Sequence, residues 1–345
     1  GVFLSGGLDS LLITSILQSQ SSSPVDTFTM GYDNPDYDES SVAKKYSKYL
    51  GTNHNEMIVT SADALSVIPS LCRTFDEPFA DASQIPTILV SSLAKTKVKV
   101  VLSGDGADEM FGGYNRYLFS DSLNNFIKFS PSPVRKIISS ILRTVSPSKW
   151  DKCFSMLKYI FPIKLGTSHP GEKIHKISML LSAKNEYELY SMLVSMWFSH
   201  NPVLGITNNS REPNTNIWLK DRTLAENMMN MDAVTYLPDD ILTKVDRSSM
   251  SVGLESRAPF LDSDVVDFAA RLPINYKIDD KKGKILLRSV LGGYVPKTMH
   301  NTNKRGFSAP IHEWLRGPLL EWSNDLLSES SLGRHGFFDV ELIRK

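Results

Sequence analysis

The first 120 or so residues alternate between short apolar runs and longer stretches in which apolar residues recur every three or four positions. Short apolar runs predict buried strands, and the three-to-four spacing predicts helices. The strand candidates are Val2 to Leu4, Thr27 to Met30, Glu56 to Val59 and Val98 to Leu102. Helix candidates between them include Ser40 to Leu50 and Ala62 to Phe75. This alternation indicates the α/β fold class, with a parallel, doubly wound sheet that binds ligands at the carboxyl ends of its strands.

From about Asp121 onward the pattern becomes helical. The helix candidates of this part are Val134 to Thr144, Lys173 to Ser182, Glu186 to Phe198 and Leu261 to Ala270. A polar stretch from Asn208 to Asn216 predicts a surface loop. We therefore expect an α/β core over about residues 1–120 and an additional, mainly helical part over about residues 121–345.

The first strand candidate ends in a turn that is typical of a phosphate site. Ser5, Gly6 and Gly7 follow the strand, and the helical pattern begins at once. Glycine lets the backbone approach a phosphate closely, and the amides and dipole of a helix N-terminus attract an anion. Ser10 adds a hydroxyl to that of Ser5, and Asp9 offers an oxygen ligand for Mg²⁺. This turn predicts a nucleotide-binding site.

The fourth strand candidate also ends in small residues, but carboxylates follow. It continues into Ser103 and Gly104, and then into Asp105, Asp108 and Glu109. Carboxylates beside a phosphate need a cation to neutralise them. Because the carboxyl ends of parallel strands share one edge of a sheet, Asp9 and Asp108 could bind the same Mg²⁺ beside the pyrophosphate of a nucleotide.

Two common phosphate-binding motifs do not fit this sequence. Walker A requires G-x-x-x-x-G-K-[ST], which does not occur. The Rossmann pattern G-x-G-x-x-G is nearly met from Gly104, but Glu109 stands where the third glycine is required. The string S-G-G-x-D-S at Ser5 to Ser10 is instead similar to the signature of the ATP pyrophosphatase superfamily, which cleaves ATP between the α and β phosphates.

Further motifs extend this similarity along nearly the whole chain. They are D-E-P at Asp76 to Pro78, S-G-D-G-A-D-E at Ser103 to Glu109, F-G-G-Y-N-R-Y at Phe111 to Tyr117, Y-L-P-D-D-I-L-T-K-V-D-R at Tyr236 to Arg247, L-E-S-R-A-P-F-L-D at Leu254 to Asp262, K-I-L-L-R at Lys284 to Arg288, and K-R-G-F at Lys304 to Phe307. In this order and spacing they resemble the synthetase domain of glutamine-hydrolysing asparagine synthetases. The resemblance implies a sheet of the adenine nucleotide α-hydrolase type.

The resemblance also implies a reaction. In the family, the β-carboxylate of aspartate attacks the α-phosphate of ATP with Mg²⁺ present, and gives β-aspartyl-AMP and pyrophosphate. Ammonia then attacks this acyl-adenylate and releases asparagine and AMP. The implied cofactors are therefore ATP and Mg²⁺, and the implied partners are small molecules: ATP, aspartate or another carboxylic acid, and ammonia.

The family's functional residues can be carried over to this sequence by motif. Asp105 and Lys284 match the catalytic residues, although Lys284 lies in a run of charged residues that by itself is typical of an exposed loop. Asp9 and Asp108 match the metal ligands, and Arg116 resembles a cation on the substrate side. The residues that match ATP contacts are Leu4, Ser5, Gly6, Gly7, Asp9, Ser10, Met30, Ser103, Gly104 and Lys304.

Composition restricts the class of partners. Lys plus Arg and Asp plus Glu both number 38, so net charge gives no attraction to nucleic acid or to an anionic membrane. The apolar runs are shorter than the ~20 residues that a membrane-spanning helix needs. Cys72 and Cys153 are too few for a disulfide framework, so we expect two buried free thiols and a cytoplasmic protein.

The N-terminal glutaminase domain of the family has no counterpart in this sequence. We therefore expect ammonia to come from such a domain in a longer parent chain, and a homodimer is possible.

Three functions stay open. The first is aspartate amidation, and the second is the same adenylating chemistry on another carboxylic acid, by amidation or ring closure. The third is a non-catalytic nucleotide-binding subunit, which would bind ATP without releasing pyrophosphate.

Overall fold

The structure, a computed structural model, describes residues 1–34, 37–160, 170–195, 201–205, 217–279, 282–299 and 310–344, with the backbone alone for 156–160. The predicted loop from Asn208 to Asn216 and the predicted ATP contact Lys304 lie outside the described residues.

A parallel sheet forms the centre of the fold, as the sequence predicts. Its strands are β1 (Val2–Phe3), β2 (Asp26–Tyr32), β3 (Asn53–Val59), β4 (Val100–Leu102) and β5 (Glu255–Arg257). They lie in the order β3-β2-β1-β4-β5. Four of them match the predicted strands, and this confirms the α/β class. The fifth was missed, because Glu255–Arg257 is a three-residue polar strand with partly exposed side chains and shows no apolar run.

Helices connect and follow these strands. Up to residue 160 they are α1 (Leu8–Gln20), α2 (Ser40–Leu50), α3 (Ser61–Phe75), α4 (Gln84–Lys95), α5 (Ala107–Phe111), α6 (Asn115–Leu118), α7 (Ser120–Phe129), α8 (Ser132–Thr144) and α9 (Pro147–Ile160). After the gap they are α10 (Pro170–Leu180), α11 (Glu186–Val194), α12 (Leu224–Val234), α13 (Thr243–Ser251), α14 (Ser263–Arg271), α15 (Ile285–Leu291), α16 (Ile311–Arg316), α17 (Leu320–Leu326), α18 (Glu329–His335) and α19 (Val340–Arg344).

Local sequence explains where several helices begin and end. Helix α2 has the predicted bounds, and it ends at Gly51, whose φ of 72° is a conformation that glycine adopts without strain. Helix α3 begins after Thr60, because the Thr60 hydroxyl accepts from the amide of Asp63 while the Asp63 carboxylate accepts from the amide of Thr60. These caps fix the connections on either side of the edge strand β3.

The sheet changes direction between β1 and β4. From β1 the chain moves outward through β2 to β3, and then crosses back to place β4 on the other side of β1. Val2 of β1 therefore pairs with both Thr27 of β2 and Leu102 of β4. In open α/β sheets, ligands bind outside the carboxyl ends of the strands at such a switch point. The segments that follow β1 and β4 are those from Ser5 to Ser10 and from Ser103 to Glu109.

The chain forms two compact units. The first comprises residues 1–118 and 229–336 with Arg344, and the second comprises residues 119–228 and 337–343 with Lys345. The division into an α/β core over about residues 1–120 and a mainly helical part over about residues 121–345 stays a prediction. The first unit holds all five strands and packs apolar residues on both faces of the sheet. Phe28 and Val101 belong to one buried cluster, and Val2, Leu11 and Leu291 belong to the other.

The described residues of the second unit are mainly helical, and buried polar contacts fix part of this unit. The Arg135 guanidinium donates to the carbonyl of Ala183 at 2.9 Å, and the Ser139 hydroxyl donates to the carbonyl of Ser178 at 2.6 Å. Both side chains lie on α8 and are buried.

Two predictions from composition have different outcomes. The prediction that Cys72 and Cys153 are buried is wrong: both thiols are free and exposed. Within the residues described, none of the helices combines the length and the apolar character needed to cross a membrane.

Candidate active site

The turn after β1 is held by its own serine hydroxyls. The Ser10 hydroxyl accepts from the amide of Ser5 at 3.1 Å, and the Ser5 hydroxyl accepts from the amide of Gly7 at 3.1 Å. Helix α1 then begins at Leu8. The first backbone N–H groups of a helix have no acceptor within the helix, so they are available to a ligand at its N-terminus. The turn that the sequence predicts to bind phosphate thus connects β1 to α1, and hydrogen bonds of Ser5 and Ser10 shape it.

The segment after β4 packs closely against this turn. A Cβ atom at Gly104 would lie 3.0 Å from the Cβ of Asp9 and 3.2 Å from the amide nitrogen of Ser10. Gly106 has a φ of 85° and precedes α5, which carries Asp108 and Glu109 in its first turn. Glycine at position 104 lets the two strand ends meet, and Gly106 allows the left-handed turn into α5, so Asp9 and Asp108 come to one place.

Lys284 joins the two carboxylates. Its ammonium donates to Oδ2 of Asp9 at 2.6 Å and lies 2.6 Å from Oδ1 of Asp108. The three side chains are 7%, 7% and 16% exposed for Lys284, Asp9 and Asp108. A lysine from a run of charged residues is thus buried at the sheet's switch point, 275 positions away from Asp9 in sequence.

The backbone around Lys284 is shaped to bring its side chain into the site. Lys284 adopts φ 59° and ψ 40°, a left-handed conformation that is unfavourable for residues other than glycine. A Cβ atom at Gly113 would lie 2.1 Å from Cε of Lys284 and 1.8 Å from Oδ1 of Asp108. Strained backbone in a well-packed surrounding is typical of functional sites.

A cavity of about 750 Å³ adjoins these groups. This volume is in the range of small-molecule sites. The lining residues come from the first compact unit, and the predicted site residues among them are Ser5, Asp9, Ser10, Ser103, Gly104, Asp105 and Asp108. The hydroxyl of Ser103 is buried and has no hydrogen-bond partner in the part of the chain that the structure describes. A bound nucleotide would supply the missing partner, so the cavity fits one.

The donor set also fits Mg²⁺. Among the residues described, clusters of three or more His, Cys, Asp or Glu side chains that could hold a metal ion are absent. Asp9 and Asp108 nevertheless converge on one cation-sized position, which the Lys284 ammonium fills. Magnesium is commonly bound by one or two carboxylates, with waters and substrate phosphates as its other ligands. Two carboxylates beside a nucleotide-sized cavity meet that requirement.

A second charged group lines the same cavity. The Lys244 ammonium donates to Oδ2 of Asp81 at 2.6 Å, and the amide of Ser83 donates to Oδ1 at 2.8 Å. Burial would raise the pKa of Asp81, but the Lys244 charge and these hydrogen bonds outweigh it and lower the pKa. Burial, with the charge of Asp81, raises the pKa of Asp240 to about 6. The sequence motif that contains Lys244 was recognised, but its place in the cavity was not.

Glu109 and Tyr114 form a buried contact on the cavity wall. The Tyr114 hydroxyl donates to Oε1 of Glu109 at 2.7 Å, and both residues line the cavity. Burial raises the pKa of Glu109 to about 7, against the opposing effect of this hydrogen bond. The sequence offered a signal for Glu109, which ends the S-G-D-G-A-D-E motif, and none for the contact with Tyr114.

Arg116, predicted as a substrate-side cation, has a protein partner. Its Nε donates to Oδ2 of Asp232 at 2.8 Å, and the Tyr117 hydroxyl donates to the same oxygen at 2.5 Å. The guanidinium carbon lies 4.1 Å from the ring centroid of Tyr114 and 5.2 Å from that of Tyr236. Asp232 is fully buried, so this pairing fixes the aromatic wall beside Glu109.

Among the residues that the structure describes, four further predicted ATP contacts, Leu4, Gly6, Gly7 and Met30, are not among the residues that line the cavity. The side chains of Leu4 and Met30 are buried in the core, so a contact with a nucleotide would have to use their backbone. Gly6 and Gly7 belong to the turn itself and are buried. The structure therefore brings together Ser5, Asp9, Ser10, Ser103, Gly104, Asp105, Asp108 and Lys284.

A parallel sheet with an S-G-G-L-D-S turn at its switch point, opposite a second acidic turn, defines the adenine nucleotide α-hydrolase class of α/β domains. The family model described as asparagine synthase matches residues 1–345. The chain belongs to the asparagine synthase family.

Named relatives agree with this assignment. The chain is 32% identical over 333 residues to Asparagine synthetase [glutamine-hydrolyzing] 1 of Bacillus subtilis strain 168, covering 96% of this chain and 49% of that protein. It is 32% identical over 342 residues to a Putative asparagine synthetase [glutamine-hydrolyzing] of Mycobacterium tuberculosis H37Rv, covering 96% and 48%. Amidase chry2 of Gibberella zeae is 22% identical over 370 residues, covering 98% and 53%. The chain spans about half the length of these curated relatives.

Proposed function

We propose that this chain is an ATP-dependent amide-forming ligase domain that activates the β-carboxylate of aspartate as an acyl-adenylate and transfers ammonia to it. The observation that carries the proposal is the buried Lys284 ammonium between Asp9 and Asp108, at the carboxyl ends of β1 and β4 and beside a nucleotide-sized cavity. Phosphoryl chemistry at the α-phosphate requires cations at that point, and two adjacent carboxylates with a lysine beside them support the proposal.

The first step forms a bond between the acid and the nucleotide. A carboxylate oxygen attacks the α-phosphorus, the bond to the oxygen that bridges the α and β phosphates breaks, and pyrophosphate leaves. Asp9 and Asp108 would hold Mg²⁺, which supplies charge neutralisation on the phosphates. Lys284 places a positive charge beside the pentacoordinate phosphorus, and the turn from Ser5 to Ser10 holds the phosphates with its amides.

The second step forms the amide. Ammonia attacks the acyl carbon, the bond from that carbon to the AMP oxygen breaks, and the nitrogen loses a proton. Asp105 lines the cavity at the end of β4 and is our candidate to accept that proton. In a longer parent chain, a glutamine-hydrolysing domain would supply the ammonia, as the names of the relatives suggest.

Aspartate is the proposed acid because the cavity wall carries both signs of charge. Asp81 and Glu109 face the cavity together with Lys244. A zwitterionic amino acid with a second carboxylate needs both cationic and anionic partners. The same adenylating chemistry on another carboxylic acid is the alternative, since one relative of the chain is named an amidase rather than an asparagine synthetase.

Pyrophosphate release tests the proposal. The protein is supplied with ATP, Mg²⁺ and ammonium, and aspartate is compared with a panel of other carboxylic acids. Lys284→Ala is expected to lower aspartate-dependent release by about 100-fold to 1,000-fold, since one positioned charge contributes about 3–4 kcal/mol at such sites. Lys282→Ala is the matched control: it removes an exposed lysine from the same charged run and is expected to retain the rate.

The three possible functions give different results. Release that depends on aspartate and on Lys284 supports the proposal. Release with another acid alone assigns the chain to a different amide-forming reaction. ATP binding by a folded protein without release for any acid contradicts enzymatic activity of this chain and favours a nucleotide-binding subunit.

A further inference from the structure

The Lys284 ammonium fills the space between two buried carboxylates. Its nitrogen lies 2.6 Å from Oδ2 of Asp9 and 2.6 Å from Oδ1 of Asp108. Two buried carboxylates at one place repel each other and are costly to hold without a cation. In the chain as described, Lys284 provides that cation.

The same position is the one that a shared divalent cation would take. Magnesium binds carboxylate oxygens at about 2.0–2.1 Å, so an ion held by both Asp9 and Asp108 would lie between them. The ammonium nitrogen lies 2.6 Å from an oxygen of each carboxylate, and a second cation could not lie between them at the same time because of overlap and like-charge repulsion. Metal and ammonium therefore exclude each other there.

We propose that Lys284 is a placeholder for the divalent cation: its ammonium holds Asp9 and Asp108 in place in the metal-free chain, and metal binding displaces it toward the bound nucleotide. This inference rests on the metal-binding part of the proposed function. It adds that one lysine has two roles, first as the counter-ion of Asp9 and Asp108 and then as the cation at the α-phosphate.

Close contacts fix the backbone at Lys284, so a displacement of its ammonium would be a change of the side chain alone. The amide of Lys284 donates to the carbonyl of Phe111 at 3.2 Å, and α15 begins immediately after it. A Cβ atom at Gly283 would lie 2.1 Å from the carbonyl oxygen of Gly112, so the chain is tightly packed here. The flexible stem of lysine is the part that can swing from the carboxylates toward the cavity.

Coupling between metal and nucleotide follows from this exchange. Metal alone must displace an ammonium that has no new partner, whereas bound phosphates offer that ammonium acceptor oxygens. The nucleotide is thus expected to strengthen metal binding, and the metal to strengthen nucleotide binding by the same factor.

Manganese binding without nucleotide tests the placeholder directly. Mn²⁺ binding to the whole chain is followed by the loss of the electron paramagnetic resonance signal of free Mn²⁺. Lys284→Met keeps the length of the side chain and removes the charge, and is expected to bind Mn²⁺ about tenfold or more tightly than the wild type. Lys244→Met is the matched control, because it removes a charge from the same cavity but not from the two carboxylates.

The control separates a placeholder from a general effect of charge. Tighter binding in Lys284→Met with unchanged binding in Lys244→Met supports the inference. Equal affinity in Lys284→Met and the wild type overturns it. An equal gain in both variants also overturns it, since the cause would then be the net charge of the cavity.

Amine labelling of the wild type keeps the test valid if Lys284→Met does not fold. The protein is treated with acetic anhydride with and without Mg²⁺, and acetylation is measured by mass spectrometry. Mg²⁺ alone is expected to increase labelling of Lys284 relative to Lys244 severalfold, because the displaced amine becomes accessible. Unchanged labelling under saturating Mg²⁺ overturns the inference. Neither Mn²⁺ binding nor acetylation requires turnover. A failure of this inference can therefore be told apart from an absence of pyrophosphate release.

Discussion

At the scale of single residues, the conformation of Lys284 connects backbone strain to chemistry. Its left-handed φ of 59° carries a cost of about 1–2 kcal/mol for a residue with a Cβ atom. The buried contacts with Asp9 and Asp108 hold it there. The site therefore depends on close packing around the lysine stem as much as on the lysine itself.

Gly113 tests that packing. Gly113→Ala places a Cβ atom 1.8 Å from Oδ1 of Asp108 and 2.1 Å from Cε of Lys284, so both side chains must shift. We expect pyrophosphate release to fall at least ~100-fold, because a displacement of about 1 Å at reacting groups has that effect. Thermal unfolding is expected to show that overpacking lowers the free energy of unfolding by about 1–3 kcal/mol.

The matched control for this substitution is Gly333→Ala. Gly333 lies within α18, and apart from the backbone of its own helix no described residue has a heavy atom within 4 Å of the added Cβ position. Alanine is expected to raise stability by about 0.5–1 kcal/mol through helix propensity and to leave the rate unchanged. A Gly113→Ala enzyme as active as Gly333→Ala would show that close packing at Lys284 is not required.

Asp240 predicts a pH dependence of stability. Its pKa is about 6 in the folded chain, against an ordinary value of 3.8, because of burial and the charge of Asp81. The folded state thus binds more protons between these values, and its stability falls as pH rises through that window. Solvent screening of this half-buried group reduces the effect to about 1 kcal/mol.

Asp240→Asn removes this titration. The free energy of unfolding in urea is measured for both proteins at pH 4 and pH 7.5. We expect the difference between variant and wild type to shift by about 1 kcal/mol in favour of the variant at the higher pH. A stability difference between the two proteins that stays constant over this range would contradict the raised pKa.

Part of the site could be predicted from local sequence, and part could not. The turn from Ser5 to Ser10 is a local arrangement of strand, glycine and helix, so its shape follows from adjacent residues. The burial of Lys284 is not local: its charged neighbours indicate exposure, and only pairing with Asp9, 275 positions away, explains it. Likewise, nothing beside Arg116 in sequence indicates that Asp232 is its partner.

At the scale of elements, apolar periodicity predicted the strands and helices that bury one clear face. Helix α2 has the predicted bounds, and β2 and β3 extend the predicted strands by a few residues. Strand β5 was missed because its residues pair with β4 through the backbone while their polar side chains stay partly exposed. Backbone pairing leaves no trace in an apolar pattern when the strand is short.

Asp232 tests the connection between α12 and α6. Asp232 is fully buried. Its Oδ2 accepts a hydrogen bond from the Tyr117 hydroxyl and lies 2.7 Å from Nη2 of Arg116. Asp232→Ala is expected to cost about 3–5 kcal/mol in urea unfolding, because it leaves a largely buried guanidinium unpaired. A loss below 1 kcal/mol would refute this structural role; the prediction that Arg116 also contacts substrate is separate from it.

Asp267→Ala is the corresponding surface control. On α14, Oδ2 of Asp267 lies 3.8 Å from Nη2 of Arg271, and both side chains are exposed. Exposed pairs of this kind contribute little, so we expect a change within about 0.5 kcal/mol.

At the scale of the whole molecule, one compact unit contains all the described residues of the candidate site. Residues 1–118 supply both strand-end turns, and residues 229–336 supply Lys244 and Lys284. The unit combines two segments that are more than 100 residues apart in sequence. Composition and apolar periodicity are local properties, so they predict the fold class but not which distant segments pack together. Family resemblance supplied Lys284 as a candidate, and the structure supplied its partners.

The central claim is that the acid attacks the α-phosphorus of ATP. The most direct test uses aspartate with ¹⁸O in its β-carboxylate, together with ATP, Mg²⁺ and ammonium, and analyses the nucleotide product by mass spectrometry. Attack at the α-phosphorus leaves one carboxylate oxygen on the phosphate, so we predict AMP that carries one ¹⁸O, and unlabelled pyrophosphate. Formation of ADP with labelled inorganic phosphate would contradict the claim, because it would place the attack at the γ-phosphorus.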